Sequence, residues 1–420
     1  MVSRQLAAAL AFSLCLAVGH AEQRASSSAD WTLWGGPNRD FRSAASGLAD
    51  TWPDSGPAKL WTRVLGEGFS ASAVEADRLY TMYSTEKQEV VTALDAATGK
   101  TVWEYAYDTD FSPGAPDVGA GPYAMPQVIG DRVVSVGGTG KLHSLDKASG
   151  RPVWSRAVYE EFGGTRKMYG YACHALPYKD LLILMVGGSR QSIVALRQSD
   201  GRVVWGRHGF TNSQSSPLLI NVDGQDQVVA AMGQQIVAVD PLTGDLRWEH
   251  PHPTQYDFAI STPVWGPDQI LVVSSSYEGG TRALQLRQQN GRTTVQELWH
   301  NPRIRVHFGT MIRQGDTVYG ASGHHGPAPI TAFDVKTGRI LWHTGRDFAK
   351  SQLLSADGKL IILDEDGVLA LATASAEGLR VHSRVQLLTK VAWTVPTLAG
   401  TRLYVRDRTQ LMALELGRSS

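Results

Sequence analysis

The phrase ALDAATGKTVWEY, which begins at Ala93, returns with small changes along the chain. SLDKASGRPVWSR begins at Ser144, ALRQSDGRVVWGR at Ala195, AVDPLTGDLRWEH at Ala238 and AFDVKTGRILWHT at Ala332. A looser version, LQLRQQNGRTTVQELW, ends at Trp299. From Trp61 through Trp103, Trp154, Trp205, Trp248 and Trp299 to Trp342 the steps are 42, 51, 51, 43, 51 and 43 residues. A chain built of such copies must bury the apolar face of each unit against the next, which restricts it to repeat architectures.

Each phrase reads as two strands and a turn. Val90, Val91 and Leu94 form a half-buried run, Asp95 opens the turn and Gly99 supplies its positive φ. Thr101 to Trp103 then begins the return strand. Aspartate recurs at this turn as Asp146, Asp240 and Asp334. Carboxylates at equivalent turns of a repeat are turn formers, so they do not read as a catalytic set. A second phrase, strand–tight turn–strand, precedes each copy and occurs eight times, from SASAVEADRLY to TVPTLAGTRLYV. Four strands per unit and eight units predict an all-β fold, an eight-bladed β-propeller of four-stranded antiparallel blades.

The eighth unit runs out after three strands. The outer strand it lacks is expected from PAKLWTRV near the N-terminus, which would close the ring with a strand from the other end and leave no open edge. The seventh unit, LALATASAEGLRVHSRVQLL, has no tryptophan, and His382 and Val385 are the candidates for its place. Ser70, Ala124, Cys173, Ser215, Ser261, Gly309, Ser351 and Thr394 occupy one equivalent position, a column of small residues near the axis.

The N-terminus reads as an export signal over residues 1–21. Arg4 is followed by an apolar run over residues 6–18 and by Gly19-His20-Ala21 as a small-residue cleavage site. That run is too short to span a membrane, and nothing in the remaining chain approaches spanning length. Leu14 before Cys15 argues against a lipoprotein signal. The expected location is periplasmic or secreted. An extension over residues 22–57, carrying WGGPNRDF, would lead into a single propeller over 58–420, expected to be monomeric. Lysine plus arginine equals aspartate plus glutamate, 40 each, which gives no support to nucleic-acid binding. Cys173 is the one cysteine beyond the signal, so no intrachain disulfide is expected.

The repeated phrase resembles that of the quinoprotein-type, PQQ-like eight-bladed propellers, and WTLWGGPNRDFRS resembles an N-terminal signature of secreted bacterial members. Two branches bear on function: the quinoprotein dehydrogenases and the outer-membrane assembly factor BamB, a non-catalytic scaffold. The resemblance to the dehydrogenases implies an adjacent cysteine pair beside the quinone and a calcium ion on oxygen ligands. Cys173 stands alone and no motif places those carboxylates, so neither PQQ nor calcium is expected, and no metal site.

Function is expected on the face that gathers the loops between blades and the turns inside them, because loops on a rigid scaffold carry binding residues. The loop after Trp103 offers Tyr105, Tyr107, Asp108, Asp110 and Asp117, aromatic and acidic groups suited to a sugar or a cation. The loop after Trp154 offers Glu160, Glu161, Arg166 and Lys167. Blade six offers Arg303, Arg305 and His307 on the loop leading into it and His324 and His325 on an inner turn, a basic set suited to a carboxylate, a phosphate or an acidic partner. Cys173 beside His174 suggests a thiolate nucleophile, but neighbours on a strand point to opposite faces, and a structural cysteine fits the small column better. The sequence favours binding over catalysis: a cell-envelope protein as partner, with a small polar ligand, carbohydrate or enzymatic substrate as the alternative.

Overall fold

The computed structural model describes residues 30–111, 119, 121–323 and 326–418. Eight sheets of four antiparallel strands follow one another. Blade one consists of Ala73–Glu75, Arg78–Ser84, Gln88–Asp95 and Thr101–Asp108, here called strands A to D from the axis outwards. Blades two to seven repeat that order in sequence, and blade eight takes its outer strand from Ala58–Val64, antiparallel to Gln410–Glu415. The ring is closed by the strand the sequence pointed to. The export signal read over residues 1–21, together with Asp117, His324 and His325, lies outside the described residues.

The repeated phrase is a latch between blades. Strand D carries a bulge just before its tryptophan, as where Ala93 pairs with Trp103 and Leu94 with Thr101. The bulge turns the indole toward the following blade. There Trp103 Nε1 donates to the carbonyl of Lys147 at 3.0 Å, just past the turn aspartate Asp146. Trp61, Trp154, Trp205, Trp299 and Trp342 make the same bond to Ala96, Gln198, Pro241, Val335 and Ser375. The turn glycine is needed twice over. Gly150 has φ +70°, and a Cβ on it would lie 2.4 Å from Cε3 of Trp103. The turn carboxylates act locally: Asp95 Oδ1 accepts from the backbone of Ala97 and Thr98, and Asp334 Oδ1 from Lys336 and Thr337.

Blade seven departs from this plan. Its bulge sets Leu371 opposite Ser383 and Ala372 opposite Val381. The register position of the tryptophan is therefore Ser383, which lies between the two candidates the sequence offered, one residue after His382 and two before Val385. The missing ring comes from far upstream: Trp52, 9% exposed, packs in the same apolar cluster as Val385 and Leu371.

The segment from residue 30 onward crosses the axis on the side of the hairpin turns. Trp31 exchanges backbone bonds with Val74 of blade one. Trp34 donates from Nε1 to Thr262 Oγ1 before blade five (3.0 Å), and Arg39 donates to the carbonyl of Pro177 in blade three (2.9 Å). Arg42–Ser43 then adds in parallel to the inner strand of blade seven. The WGGPNRDF signature thus plugs one end of the axial channel and ties blades on opposite sides of the ring together.

Candidate functional site

At the other end of the axis the inter-blade loops converge. Phe69, Tyr123, Phe308 and Trp393 each stand one residue before a member of the small column. That column packs the inner strands closely: Ser215 Oγ donates to the carbonyl of Ser261 and Ser261 Oγ to that of Gly309. The residue before it is thereby forced to the channel rim. Tyr169, Phe258, Tyr277 and His307 come from the loops around it. Their eight rings form a closed circuit in chain order: Phe69–Tyr123–Tyr169–Phe258–Tyr277–His307–Phe308–Trp393 and back to Phe69. Successive centroids are 5.0–6.3 Å apart. Because the contributing loops follow one another round the ring, the circuit encloses the axis. Phe69 and Phe258 are buried, while the other six are half-buried.

Polar groups surround this collar. Trp393 Nε1 donates to Glu365 Oε2 at 3.0 Å, and Lys350 Nζ lies 3.8 Å from the same oxygen and over the Phe308 ring. Lys167 pairs with Asp257 at 3.3 Å, and Arg166 with Asp110 at 3.3 Å, joining loops of different blades. At the seam where the ring closes, Arg406 is fully buried. It donates to the carbonyls of Ser70, Met82 and Gly66 and to Thr81 Oγ1, and burial pulls its pKa down to about 10.

The residues singled out in the sequence fall in different places. His307 is part of the collar. Arg303 is exposed. Arg305 turns its Nε back onto the carbonyl of Pro302 (2.7 Å), and its own carbonyl accepts from Gly323, so the loop leading into blade six and its inner turn do meet. Asp108 accepts from Gln88 Nε2 at 3.1 Å and Asp110 is held by Arg166. Glu160 is exposed, whereas Glu161 is used locally: it accepts from Ala157 N–H and pairs with Arg156 at 2.7 Å across the short helix Val158–Phe162. Tyr107 does not face outward. It is 9% exposed and donates its hydroxyl to Glu89 Oε2 at 2.9 Å.

Glu89 was not legible in the sequence, where it reads as one more polar residue of EKQEV. It is 1% exposed, and its other oxygen accepts the N–H of Gly138 in the next blade at 2.8 Å. Burial raises its pKa, and the two hydrogen bonds oppose that rise. His143 lies against Tyr107 with ring centroids 4.3 Å apart, and burial pushes its pKa down to about 4.

Cys173 and His174 do not act on each other. The thiol points to the carbonyl of Ser213 and burial raises its pKa to about 12, so it is protonated. His174 Nε2 accepts the N–H of Met125 at 2.9 Å, which places its proton on Nδ1, facing Ser216 Oγ at 2.7 Å. Its ring stacks on Trp34, centroids 3.9 Å apart and planes 9° apart, and burial lowers its pKa to about 3. A protonated thiol beside a neutral, fully engaged imidazole cannot form a thiolate–imidazolium pair.

Among the described residues no three His, Cys, Asp or Glu side chains converge on a metal-sized site, and no helix is long and apolar enough to cross a membrane. The profile of the outer membrane protein assembly factor BamB family matches residues 86–344. The structure is similar to that of BamB from Moraxella catarrhalis, with 20% identity over 86% of this chain and 99% of that one and a TM-score of 0.61. It is also similar to the quinohemoprotein alcohol dehydrogenase of Comamonas testosteroni, with 12% identity, 93% and 81% coverage and a TM-score of 0.67. The computationally designed protein Ika8 is similar too, at 11% identity, 85% and 99% coverage and a TM-score of 0.57. At these identities the likeness is one of fold, shared by a scaffold factor, an enzyme and a designed protein alike. No curated protein matches the sequence.

Proposed function

We propose that this chain, which belongs to the family of the outer membrane protein assembly factor BamB, is a non-catalytic scaffold of the bacterial cell envelope that binds a protein partner through its loop face. The observation that carries this reading is the collar. Aromatic side chains half open to solvent, ringed by charged and polar groups, have the composition of an interface centre with its rim. Phe69, Tyr123, Phe308 and Trp393 each adjoin the closely packed small column, which holds their backbones in place, so little order is lost there on binding. The family's name places its members in outer membrane protein assembly, and a partner from that process fits both the face and an exported, periplasmic chain. No lipid anchor is part of the proposal.

The dehydrogenase reading has less behind it. The sequence has no adjacent cysteine pair, and Cys173 is buried in the blade packing. Trp34 and Arg39 occupy the axis from the turn side.

The test is a cross-linked pull-down from native envelope. Wild type runs beside a variant with Tyr169→Ala, Arg303→Ala and Arg305→Ala, whose folding is checked by circular dichroism. A stoichiometric partner held by wild type and lost by the folded variant supports the loop-face scaffold. A partner retained equally by both, or none at stoichiometric yield, contradicts it.

A further inference from the structure

Between blades six and seven the latch keeps its indole hydrogen bond but lacks its glycine, and a cavity lies there. In the register of blade seven, Leu379 stands where blades one, two, three, four and six have the turn glycine that packs on the preceding tryptophan. The hairpin instead turns through Gly378, a Cβ on which would meet nothing within 4 Å. The indole of Trp342 is therefore left without its glycine cover. It lines a half-open groove of about 380 Å³ together with His343, Asp347, Phe348, Leu379, Val381 and Arg384. That volume lies in the range of small-molecule sites, roughly 300–1,000 Å³.

Blade five also lacks the glycine, and there the gap is closed. Its long hairpin brings Thr293 to Gln227 Nε2 (2.6 Å) and to Gln288 Nε2 (2.8 Å), and Trp248 turns its Nε1 to Gln227 Oε1. Among the described residues no such ladder bridges blades six and seven. The groove is thus a local feature with its own cause, on the outer wall and away from the collar.

We infer that this groove is a carbohydrate site, taking a pyranose ring on the face of Trp342. The platform is fixed in advance: Trp342 Nε1 is tied to the carbonyl of Ser375 at 2.8 Å, and Tyr319 packs 5.8 Å away. Leu379 and Val381 extend the apolar floor. Arg384 is held with its guanidinium 4.9 Å from the Phe348 ring, and Asp347 is exposed at the same rim. A pyranose has a C–H face that suits an indole and an equatorial belt of hydroxyls that suits a carboxylate and a guanidinium fork. A purely apolar segment would cover Asp347 and Arg384 without giving their polar atoms partners, which costs free energy. The ligand class follows from that pairing of apolar floor and polar rim.

The experiment is saturation-transfer NMR on the full chain with methyl glycosides of glucose, galactose and N-acetylglucosamine, backed by tryptophan fluorescence titration. At least one glycoside is expected to show transfer. Its affinity is expected to fall at least tenfold in Trp342→Ala and severalfold in Asp347→Ala and in Arg384→Ala. The last two are surface changes, so the test holds even where Trp342→Ala folds poorly. Absence of transfer with all three glycosides at millimolar concentration overturns the proposal. So does binding that Asp347→Ala and Arg384→Ala leave unchanged.

Discussion

The backbone N–H of Trp52 donates to Ser383 Oγ at 2.7 Å, and that hydroxyl donates back to the carbonyl of Trp52 at 3.3 Å, across 331 residues of sequence. The pair replaces, with a side chain from the N-terminal extension, the tryptophan that blade seven lacks. The extension is thus part of the inter-blade packing as well as the source of the closing strand.

Truncating Trp52 should accordingly act like truncating a core tryptophan. Trp52→Ala is expected to lower stability by about 3–5 kcal/mol in urea unfolding. Trp52 Nε1 has no hydrogen-bond partner among the described residues, whereas Trp103 Nε1 has the carbonyl of Lys147. Trp52→Phe should therefore cost less than Trp103→Phe, by about 1 kcal/mol.

Two glycines with the same backbone separate strain from contact. Gly150 and Gly358 have φ of +70° and +71°, but only Gly150 lies under an indole. Gly358→Ala is expected to cost about 1 kcal/mol, from the backbone alone. Gly150→Ala should cost at least 2 kcal/mol more, by about the scale of overpacking a core. Equal losses in thermal unfolding would mean that the latch contributes nothing.

Buried neutral histidines make the fold acid-sensitive. His174 and His252 are pushed down to about 3 by burial, and His143 to about 4. Below their unfolded pKa of about 6.5 the unfolded chain takes up protons that the folded one refuses, so stability falls as pH falls. Between pH 7.5 and pH 5 each should remove roughly 2 kcal/mol. Buried carboxyls with raised pKa, such as Glu89 and Asp364, act in the opposite direction at the lower end of this range. The comparison of wild type with His252→Asn isolates one contribution: the variant should lose roughly 2 kcal/mol less over that interval.

Glu89 links blades one and two through Tyr107 and Gly138. Glu89→Ala would leave a buried N–H and a buried hydroxyl without acceptors, and should cost about 3 kcal/mol, at 1–3 kcal/mol per group. Glu89→Gln keeps an oxygen acceptor in place and should cost less. Equilibrium unfolding of the two variants checks the order.

Most of the architecture could be read from the sequence because most blades repeat the same requirements: turn aspartate, turn glycine, latch tryptophan, small axial residue. What the repeat does not encode was harder to see. His382 and Val385 fall on either side of Ser383 because a bulge between Val381 and Ser383 breaks the simple alternation, and the ring that fills the gap lies in another part of the chain. Tyr107 looked like a loop aromatic, but strand D runs one turn of the pleat further than the loop composition implied, which buries it. The collar was half visible, since four of its rings precede the small column at a fixed position. His307 was noted for its charge, and its ring contacts emerge only when the loops of blades five and six are brought together.

The most direct measurement of the scaffold claim is site-specific photo-crosslinking in intact envelope. A benzoylphenylalanine would replace Tyr169 or Tyr277 in the collar, or Val204, 45% exposed on the outer wall of blade three. The account predicts one discrete protein adduct from both collar positions and none from position 204. Adducts from position 204 alone, or none from the collar, would contradict it.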